Sequence, residues 1–322
     1  MKTPRRFGSL SELLGKARSE WAVRGARGNE TERSLVWMLG SPRTGSTWLL
    51  NLMRAHPRLV PFDEPGIGYH LGLFMNDVMG GGLLRYEGIR LTLPEGRVDD
   101  RQYFFSKAYE RAWRPGLRRM ILARIRAQME DADGRPARPI AVIKEPAGSH
   151  GADFIFSVLP SSRLLFLMRD PRDVLDSELD AVEGGSWMAA QWGMQTPLSA
   201  EERRGFLRSQ AHRWIVRTES VQRVYDRLPE TQRHMVRYED LLADTPAELS
   251  RIFRWLGLSV SDRRVGEAVS RLSFGSLPEA SRGQGKFTRS AAPGAWRENL
   301  STDEQAAIIE IVGGHLDRYG YA

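Results

Sequence analysis

The feature that most constrains the fold of this chain is an apolar segment that runs into a glycine-rich loop. Residues 35–39 are all apolar, Gly40 follows them, and Gly45 precedes a second apolar pattern that lasts to about Ala55. A short apolar run, a glycine loop and a helical pattern predict a strand, a loop and a helix. Backbone N–H groups in such a loop, with the N-terminus of the helix, bind an anionic phosphate. The sequence therefore predicts an α/β fold with a phosphate-binding loop.

The spacing of the two glycines matches the start of a Walker A loop, but the next residue does not. A Walker A loop has lysine there, on the β- and γ-phosphates, whereas this chain has Ser46. The cation lies inside the loop instead, at Arg43, whose guanidinium can bind an oxyanion through two hydrogen bonds. Ser46 and Thr47 add hydroxyl donors in the first helical turn. The loop therefore suits a 5′-phosphate that carries something other than a γ-phosphate.

This loop resembles the 5′-phosphosulfate loop of the sulfotransferases that use 3′-phosphoadenosine-5′-phosphosulfate (PAPS). The family loop has the form Pro-Lys/Arg-Ser/Thr-Gly-Ser/Thr-Thr, and residues 42–47 fit it throughout. The resemblance implies that PAPS is the donor, that 3′-phosphoadenosine-5′-phosphate (PAP) is the product, and that no metal takes part. The residues that it assigns to the 5′ side of the donor are Pro42, Arg43, Thr44, Gly45, Ser46 and Thr47.

A second segment resembles the family's 3′-phosphate motif, Arg-Asp/Asn-Pro-Arg/Lys-Asp-x-x-x-Ser. An apolar strand pattern runs into Arg169, Pro171 opens a turn, and a helical pattern that contains Ser177 follows. The arginine at the strand end and the serine in the helix can converge on one phosphate. A kinase has no reason to hold a 3′-phosphate, so the two motifs together favour a sulfotransferase.

Three further segments resemble family segments around the adenine and the 3′-phosphate. A Tyr-Glu-Asp sequence begins at Tyr238, and residues 272–274 resemble Thr-Ser-Phe with Leu272 in place of the hydroxyl. Residues 289–297 resemble the Arg-Lys-Gly-x-x-Gly-x-Trp-Lys loop, although the lysine and the first glycine are missing. The nucleotide contacts that these resemblances imply are Tyr238, Ser273, Phe274, Arg289 and Trp296, with Lys286 and Arg282 as substitutes for the missing lysine.

Glu64 is the candidate catalytic base. It follows His56-Pro57 and a short apolar strand pattern over residues 59–62, which places it at the edge where open α/β sheets bind ligands. The order Arg43, His-Pro, Glu64 is similar to that of the tyrosylprotein sulfotransferases and related enzymes that use a carboxylate. The alternative is an acidic turn with a purely structural role.

A second charged strand end, Lys144-Glu145, follows the apolar residues 140–143. The cytosolic animal sulfotransferases have Lys-Thr-His here and use the histidine as the base, whereas this chain has Pro146 in its place. The resemblance gives Lys144 a contact with the bridging oxygen or the sulfonate, and the missing histidine favours Glu64. A salt bridge at the strand end is the alternative role of Lys144, and Glu145 or a histidine is the alternative base.

Composition limits the remaining function classes. The chain has 322 residues, a formal net charge of +7, no cysteine and six histidines that never fall at ligand spacing, so no metal site is expected. A basic surface suits an anionic cofactor, an anionic membrane or nucleic acid, but no nucleic-acid-binding motif is present. The N-terminus is polar and charged, unlike a signal peptide, and no apolar run is long enough to span a bilayer. We therefore expect a cytoplasmic enzyme without a nucleic-acid partner.

The sequence divides into an N-terminal extension, residues 1–33, and a single sulfotransferase domain, residues 34–322. Apolar residues at helical spacing with Lys and Arg around them predict that the extension forms a basic amphipathic helix. The helix either packs on the main domain or, through residues 8–24, lies on an anionic membrane or a partner. The oligomeric state is left open, with a homodimer as one alternative.

The resemblance covers residues 34–296 and implies a P-loop three-layer α/β/α fold, with a central parallel sheet and helical excursions that form the acceptor site. Residues 66–100 and 181–200, rich in Gly, Met and Leu or Trp, are the candidates for that site. The implied reaction is in-line sulfuryl transfer from PAPS to a hydroxyl or amine of a small-molecule, lipid or glycan acceptor. Glu64 would take the proton, while Arg43 and Lys144 would stabilise charge. The alternatives are a P-loop kinase and a nucleotide-binding protein without catalysis.

Overall fold

Five parallel strands form the sheet in a computed structural model that describes residues 28–67, 101–102, 104–132, 137–191, 196–289 and 292–322. The strands are β1 (Leu35–Leu39), β2 (Leu59–Asp63), β3 (Ile140–Lys144), β4 (Arg163–Met168) and β5 (Arg233–Arg237). Their order across the sheet is β2-β3-β1-β4-β5. Each parallel pair requires a crossover, and helices supply these connections.

A helical segment over residues 28–33 precedes β1. The α-helices of the described residues that follow are α1 (Ser46–Met53), α2 (Glu110–Glu130), α3 (Ala152–Val158), α4 (Pro171–Val182), α5 (Trp187–Gln191), α6 (Ala200–Arg227), α7 (Tyr238–Ala243), α8 (Thr245–Trp255), α9 (Asp262–Leu272), α10 (Trp296–Asn299) and α11 (Thr302–Tyr319). Short 3₁₀ helices lie at Lys107–Tyr109, Pro146–Gly151, Glu230–Gln232, Phe274–Ser276 and Glu279–Ser281. Capping boxes begin two of the long helices, α6 and α11.

The central strand β1 is buried on both faces. Because successive side chains of a strand point to opposite faces, Leu35, Trp37 and Leu39 join one apolar cluster and Val36 and Met38 join another. The first cluster contains side chains of α2, α3, α4, α6 and α11, and the second contains side chains of α1, α7, α8 and α9. The predicted three-layer α/β/α fold around a parallel sheet is therefore confirmed.

The parallel arrangement brings the carboxyl ends of all five strands to one edge. Register pairs Met38 of β1 and Asp63 of β2 with Lys144 of β3, and Leu39 of β1 with Phe166 of β4. The loop after β1 leaves this edge at Gly40, with φ of 150°, where an added Cβ would lie 2.1 Å from the carbonyl oxygen of Leu167. Glycine at this position therefore lets the loop pass directly over β4.

Some sequence-based predictions fall outside the described residues. They are the amphipathic helix and membrane contact over residues 8–24, nearly all of the acceptor segment at 66–100, and residues 192–195 of the second loop. The division of the chain at residue 33 stays a prediction. None of the helices that the structure describes has the length and apolar character needed to cross a bilayer.

Candidate active site

The loop after β1 is held in an unusual backbone conformation. Arg43 has φ of 64° and Gly45 has φ of 85°, both in the left-handed region. A Cβ at Gly45 would lie 2.6 Å from the ring of Tyr238. Ser149 fixes the start of the loop, because its Oγ accepts from the amide of Gly40 at 2.9 Å and donates to the carbonyl of Gly40 at 2.7 Å. Left-handed non-glycine residues cost free energy and often mark functional sites.

Arg43 reaches from this loop to two other parts of the chain. Its Nε donates to Ser177 Oγ at 3.0 Å, and its Nη2 donates to the carbonyl of Phe287 at 2.8 Å. The guanidinium lies 5.9 Å from the ring centroid of Trp187 and 5.2 Å from that of Phe287. Burial lowers the pKa of Arg43, and the nearby carboxylate of Glu178 opposes that shift. Arg43, the predicted cation of the loop, is thus held by contacts with other segments and lies next to Ser177.

Arg169 ties the second motif to the first. It is 6% exposed, its Nη1 donates to the carbonyl of Arg43 at 2.9 Å, and its guanidinium lies 4.5 Å from the ring centroid of Tyr238. Its Nε is buried and has no hydrogen-bond partner among the described residues. A buried donor without a partner is costly, so this nitrogen suits an anionic ligand.

Lys144 lies at the other side of the loop, between two carboxylates. Its Nζ is 2.6 Å from Asp63 Oδ1, 2.9 Å from Glu64 Oε1 and 2.9 Å from Thr47 Oγ1. The Lys144 side chain is 4% exposed, whereas those of Asp63 and Glu64 are 49% and 52% exposed. The amide of Glu64, which has φ of 47°, donates to the carbonyl of Lys144 at 2.9 Å. The two predicted catalytic residues, Glu64 and Lys144, therefore form an ion pair at the strand ends.

Glu145 and His150 are the other titratable candidates near β3. Burial raises the pKa of Glu145 to about 7; the amide of Ile67, which donates to its carboxylate at 3.4 Å, lowers that pKa, and the charge of Glu64 raises it. Burial and the nearby charge of Arg217 lower the pKa of His150 to about 3. His150 is therefore neutral at physiological pH and a weak base. His70, a further histidine of the chain, lies outside the described residues.

Arg289 is held near Arg43 by a contact with α4. It forms a two-point ion pair with Asp176, in which Nη1 lies 2.8 Å from Oδ1, and Asn299 Nδ2 donates to the same carboxylate at 2.9 Å. The positive charges of Arg169 and Arg289 both lower the pKa of Arg43. Three guanidinium groups therefore lie near one another, and a multiply charged anion would relieve their repulsion.

Trp296 packs against a different part of α4. Its backbone amide donates to Asp173 Oδ1 at 3.4 Å, and the guanidinium of Arg172 lies 4.5 Å from its ring centroid. Trp296 is 6% exposed. Trp296 therefore packs against α4, and none of these contacts is with the loop after β1.

The segment predicted to contact the adenine is attached to α1. Trp48 Nε1 donates to the carbonyl of Leu272 at 2.9 Å, and the rings of Trp48 and Tyr238 meet edge to face at 6.1 Å. The guanidinium of Arg282 lies 5.4 Å from the ring centroid of Phe274. Ser273 Oγ donates to the carbonyl of Ser270. Tyr238 and the 272–274 segment are thus linked through one tryptophan.

The structure brings together the larger part of the predicted site. The residues around the Arg43 side of the loop are Arg43, Arg169, Ser177 and Tyr238, and those around the Lys144 side are Thr47, Glu64 and Lys144. The sequence-based predictions did not include Ser149, Asp176, Glu178 and Phe287, whereas Trp187 lies in the segment 181–200 that was predicted for the acceptor site. Asp176 and Glu178 flank Ser177, so the charge pattern around that serine was the available signal. Within the described part of the chain, no group of three or more His, Asp or Glu side chains is arranged to hold a metal ion.

Comparison with known proteins gives a family and a fold. The model of the sulfotransferase family matches residues 36–262. The crystal structure of mouse sulfotransferase SULT7A1 complexed with PAP matches with a TM-score of 0.51 and 11% identity, over 88% of this chain and 85% of that chain. Retinol dehydratase in a complex with retinol and PAP matches with a TM-score of 0.49 and 16% identity, over 88% and 81% of the two chains. The sulfotransferase domain from the curacin biosynthetic pathway matches with a TM-score of 0.48 and 17% identity, over 86% and 96%.

The family match covers the loop after β1, the ends of β2, β3 and β4, and the start of α4. It therefore includes Arg43, Glu64, Lys144, Arg169 and Ser177 within a single matched region. The similarity to the mouse structure independently supports the same α/β fold. The chain belongs to the sulfotransferase family.

Proposed function

We propose that this chain transfers the sulfuryl group from PAPS to a hydroxyl or amine of a small-molecule, lipid or glycan acceptor. The observation that carries the proposal is the contact between the two anion-binding motifs, in which Arg169 donates to the carbonyl of Arg43 at 2.9 Å. Membership of the sulfotransferase family supports sulfuryl transfer. The mouse relative was solved with PAP bound, which supports the choice of nucleotide.

The cluster of cations fits a nucleotide that carries phosphate at both ends of its ribose. The loop amides and Arg43 would hold the 5′ side, and Arg169 with Ser177 would hold the 3′-phosphate. The buried Nε of Arg169, which lacks a partner among the described residues, supports this assignment. Arg289 would add charge from α4, where Asp176 fixes its guanidinium. Charge-assisted hydrogen bonds to phosphate are among the strongest in proteins.

On the acceptor side, Glu64 would accept the proton of the attacking hydroxyl or amine. Its half-exposed carboxylate is oriented by Lys144, whose ammonium also reaches Thr47 at the start of α1. Bound PAPS supplies the sulfuryl group, and PAP is the product that leaves. Lys144 and Arg43 would stabilise the negative charge that develops during transfer. Because these cations belong to the chain, we propose that no metal is required.

Glu145 is the second candidate for the base, favoured by one specific observation. Its carboxyl is buried and has a pKa raised to about 7, which is a suitable value for proton transfer near neutral pH. Its 2% exposure argues against direct contact with a diffusing acceptor. Glu64 is therefore the preferred base, and the two are distinguished by substitution.

The experiment is a sulfate-transfer assay with labelled PAPS and a mixed library of alcohols, phenols, amines, lipids and glycans. The proposal expects label in at least one acceptor, with transfer lost in Arg169→Ala and Glu64→Gln. Magnesium-dependent transfer of phosphate from ATP would support a kinase instead. Tight PAP binding without transfer to any library member would favour a nucleotide-binding protein that lacks catalysis.

A further inference from the structure

One face of the molecule, formed by α2 and the turn before it, combines exposed apolar side chains with cations. Helix α2 contains six arginines and two glutamates in its 21 residues. Its inner side packs into the core through Leu117, Ile121, Leu122, Ile125 and Met129. Its outer side exposes Ala112, Met120, Ala123 and Ala127, with Arg119 and Arg124 beside them. We call these outer residues, with Phe104, Lys107 and Tyr109, the α2 face.

The apolar part of the α2 face is unusual for this molecule. Phe104 is 77% exposed, Met120 is 55% exposed and Tyr109 is 50% exposed. They are three of the five large apolar side chains that are exposed in the described residues, and they lie within 17 positions of one another. Grouped exposed apolar side chains mark interaction surfaces, whereas isolated ones do not.

The cations of the α2 face have no carboxylate partners in the described part of the chain. Three exposed cations, Lys107, Arg119 and Arg124, take part in none of its ion pairs. The two glutamates of α2 do not neutralise them, because Glu110 pairs with Arg114 at 2.9 Å and Glu130 is the last residue of the helix. The α2 face therefore presents a positive field together with apolar side chains.

We propose that the α2 face docks on a membrane that contains anionic lipids. The three cations would lie against lipid phosphates and carboxylates, while Phe104, Tyr109 and Met120 would enter the headgroup region. Surfaces that bind the membrane interface combine these two components, since apolar insertion and electrostatic attraction act together. A nucleic acid would use the cations and leave Met120 and the alanines without a role, which is why a membrane is the favoured partner.

The described part of the chain begins with a segment that packs on α2. The helical segment over residues 28–33 lies on α2, where Arg118 donates from Nε to Glu32 and from Nη2 to Asn29, each at 2.7 Å. Residues 1–27 contain seven Lys or Arg and two Glu. Their positive charge would add to the attraction of an anionic membrane.

Co-sedimentation with vesicles tests the docking surface separately from nucleotide chemistry. The full chain is mixed with vesicles of phosphatidylcholine that contain one phosphatidylserine in every four lipids. We expect Arg119→Gln/Arg124→Gln to lower the partition coefficient by about fivefold for each charge removed. Phe104→Ser should lower it by about tenfold, and this loss should persist in high salt because it removes apolar contact.

The matched control is Arg263→Gln/Arg264→Gln, which removes two exposed arginines from α9 on the opposite side of the sheet. It should leave binding unchanged, and all variants should keep the wild-type circular dichroism spectrum. Residues 1–27 are present in every variant, so their contribution cancels. The proposal would be overturned if the control lost as much vesicle binding as the α2 variants, or if the wild type bound pure phosphatidylcholine equally well. Self-association of the wild type that Met120→Ser abolishes would overturn it too. The proposal would also be overturned if Arg119→Gln/Arg124→Gln bound RNA more weakly than the wild type but bound vesicles equally well.

Discussion

Arg169, directly after β4, donates a hydrogen bond of 2.9 Å from Nη1 to the backbone carbonyl of Arg43, in the loop after β1. The two residues lie 126 positions apart, and their strands are neighbours in the sheet. Because parallel neighbours end at the same edge, the two proposed anion-binding motifs meet there. Arg169 therefore positions the loop of the first motif. Its own buried Nε remains available for a ligand.

Glu64→Gln should separate catalysis from nucleotide binding. The substitution keeps the size of the side chain and removes the carboxylate that lies 2.9 Å from Lys144. We expect turnover to fall by about 10² or more, with nearly unchanged affinity for PAP, because a general base contributes to the chemical step. Steady-state sulfate transfer and calorimetry measure the two quantities.

Asp63→Asn is the matched control for that variant, since Asp63 contacts the same ammonium at 2.6 Å. It should keep most of the turnover. If Glu64→Gln stays fully active while Glu145→Gln is inactive, Glu145 is the base and the acceptor site must be placed around it.

Lys144→Met should impair both catalysis and stability. The substitution leaves Asp63 and Glu64 without their shared cation, but both carboxylates are about half exposed and regain solvation. We therefore expect a modest loss of about 1 kcal/mol in the free energy of unfolding. The loss in kcat/KM should be about 10² to 10³, because the cation stabilises developing charge. Lys107→Met, which removes an exposed lysine that is not part of the proposed site, should alter neither quantity.

Glu145 gives the protein a specific pH dependence. Its pKa is raised from 4.5 to about 7 in the folded state, chiefly by burial, so the folded state holds this proton more tightly than the unfolded chain. The stability that the protonated carboxyl supplies is complete below pH 4.5 and is lost as pH rises to about 7. Glu145→Gln cannot ionise, so its advantage over the wild type should grow across that window to about 3 kcal/mol. Urea unfolding at several pH values measures it, and a constant difference would show that the carboxyl is not buried as described.

Sulfate transfer should be insensitive to EDTA. The loop carries its cation as Arg43, and Ser46 stands where a Walker A loop has lysine. Arg43→Ala, in contrast, should reduce transfer by about 10² or more, since a preorganised donor to the developing charge is lost. If EDTA abolished the activity and Mg²⁺ restored it, the result would favour a P-loop kinase over a sulfotransferase.

Local patterns predicted the elements that carry the site. The apolar run at residues 35–39 and the glycines around Arg43 predicted β1, the loop and α1, and all three are present. The apolar runs at 59–62 and 140–143 are the strands β2 and β3, each one residue longer than its pattern. These predictions succeed because a buried parallel strand is a continuous apolar run.

Contacts between distant segments could not be predicted in the same way. Arg289 and Asp176 lie 113 positions apart, and the rings of Trp187 and Phe287 flank Arg43 from two other segments. These contacts depend on how the chain before α10 folds back on α4, which no local periodicity encodes. The roles of Ser273, Phe274 and Trp296 at the adenine and phosphate stay predictions, because their observed contacts are with protein alone.

The measurement that tests the central claim most directly is a calorimetric titration with PAP and with ADP. Both nucleotides carry two phosphates, but only PAP places one at the 3′ position that Arg169 and Ser177 are proposed to bind. We expect PAP to bind more tightly than ADP, and Arg169→Ala to remove about 2 to 3 kcal/mol of this preference. Arg263→Ala, an exposed arginine on α9, should leave the preference intact. Equal affinity of the wild-type protein for PAP and ADP would contradict the assignment.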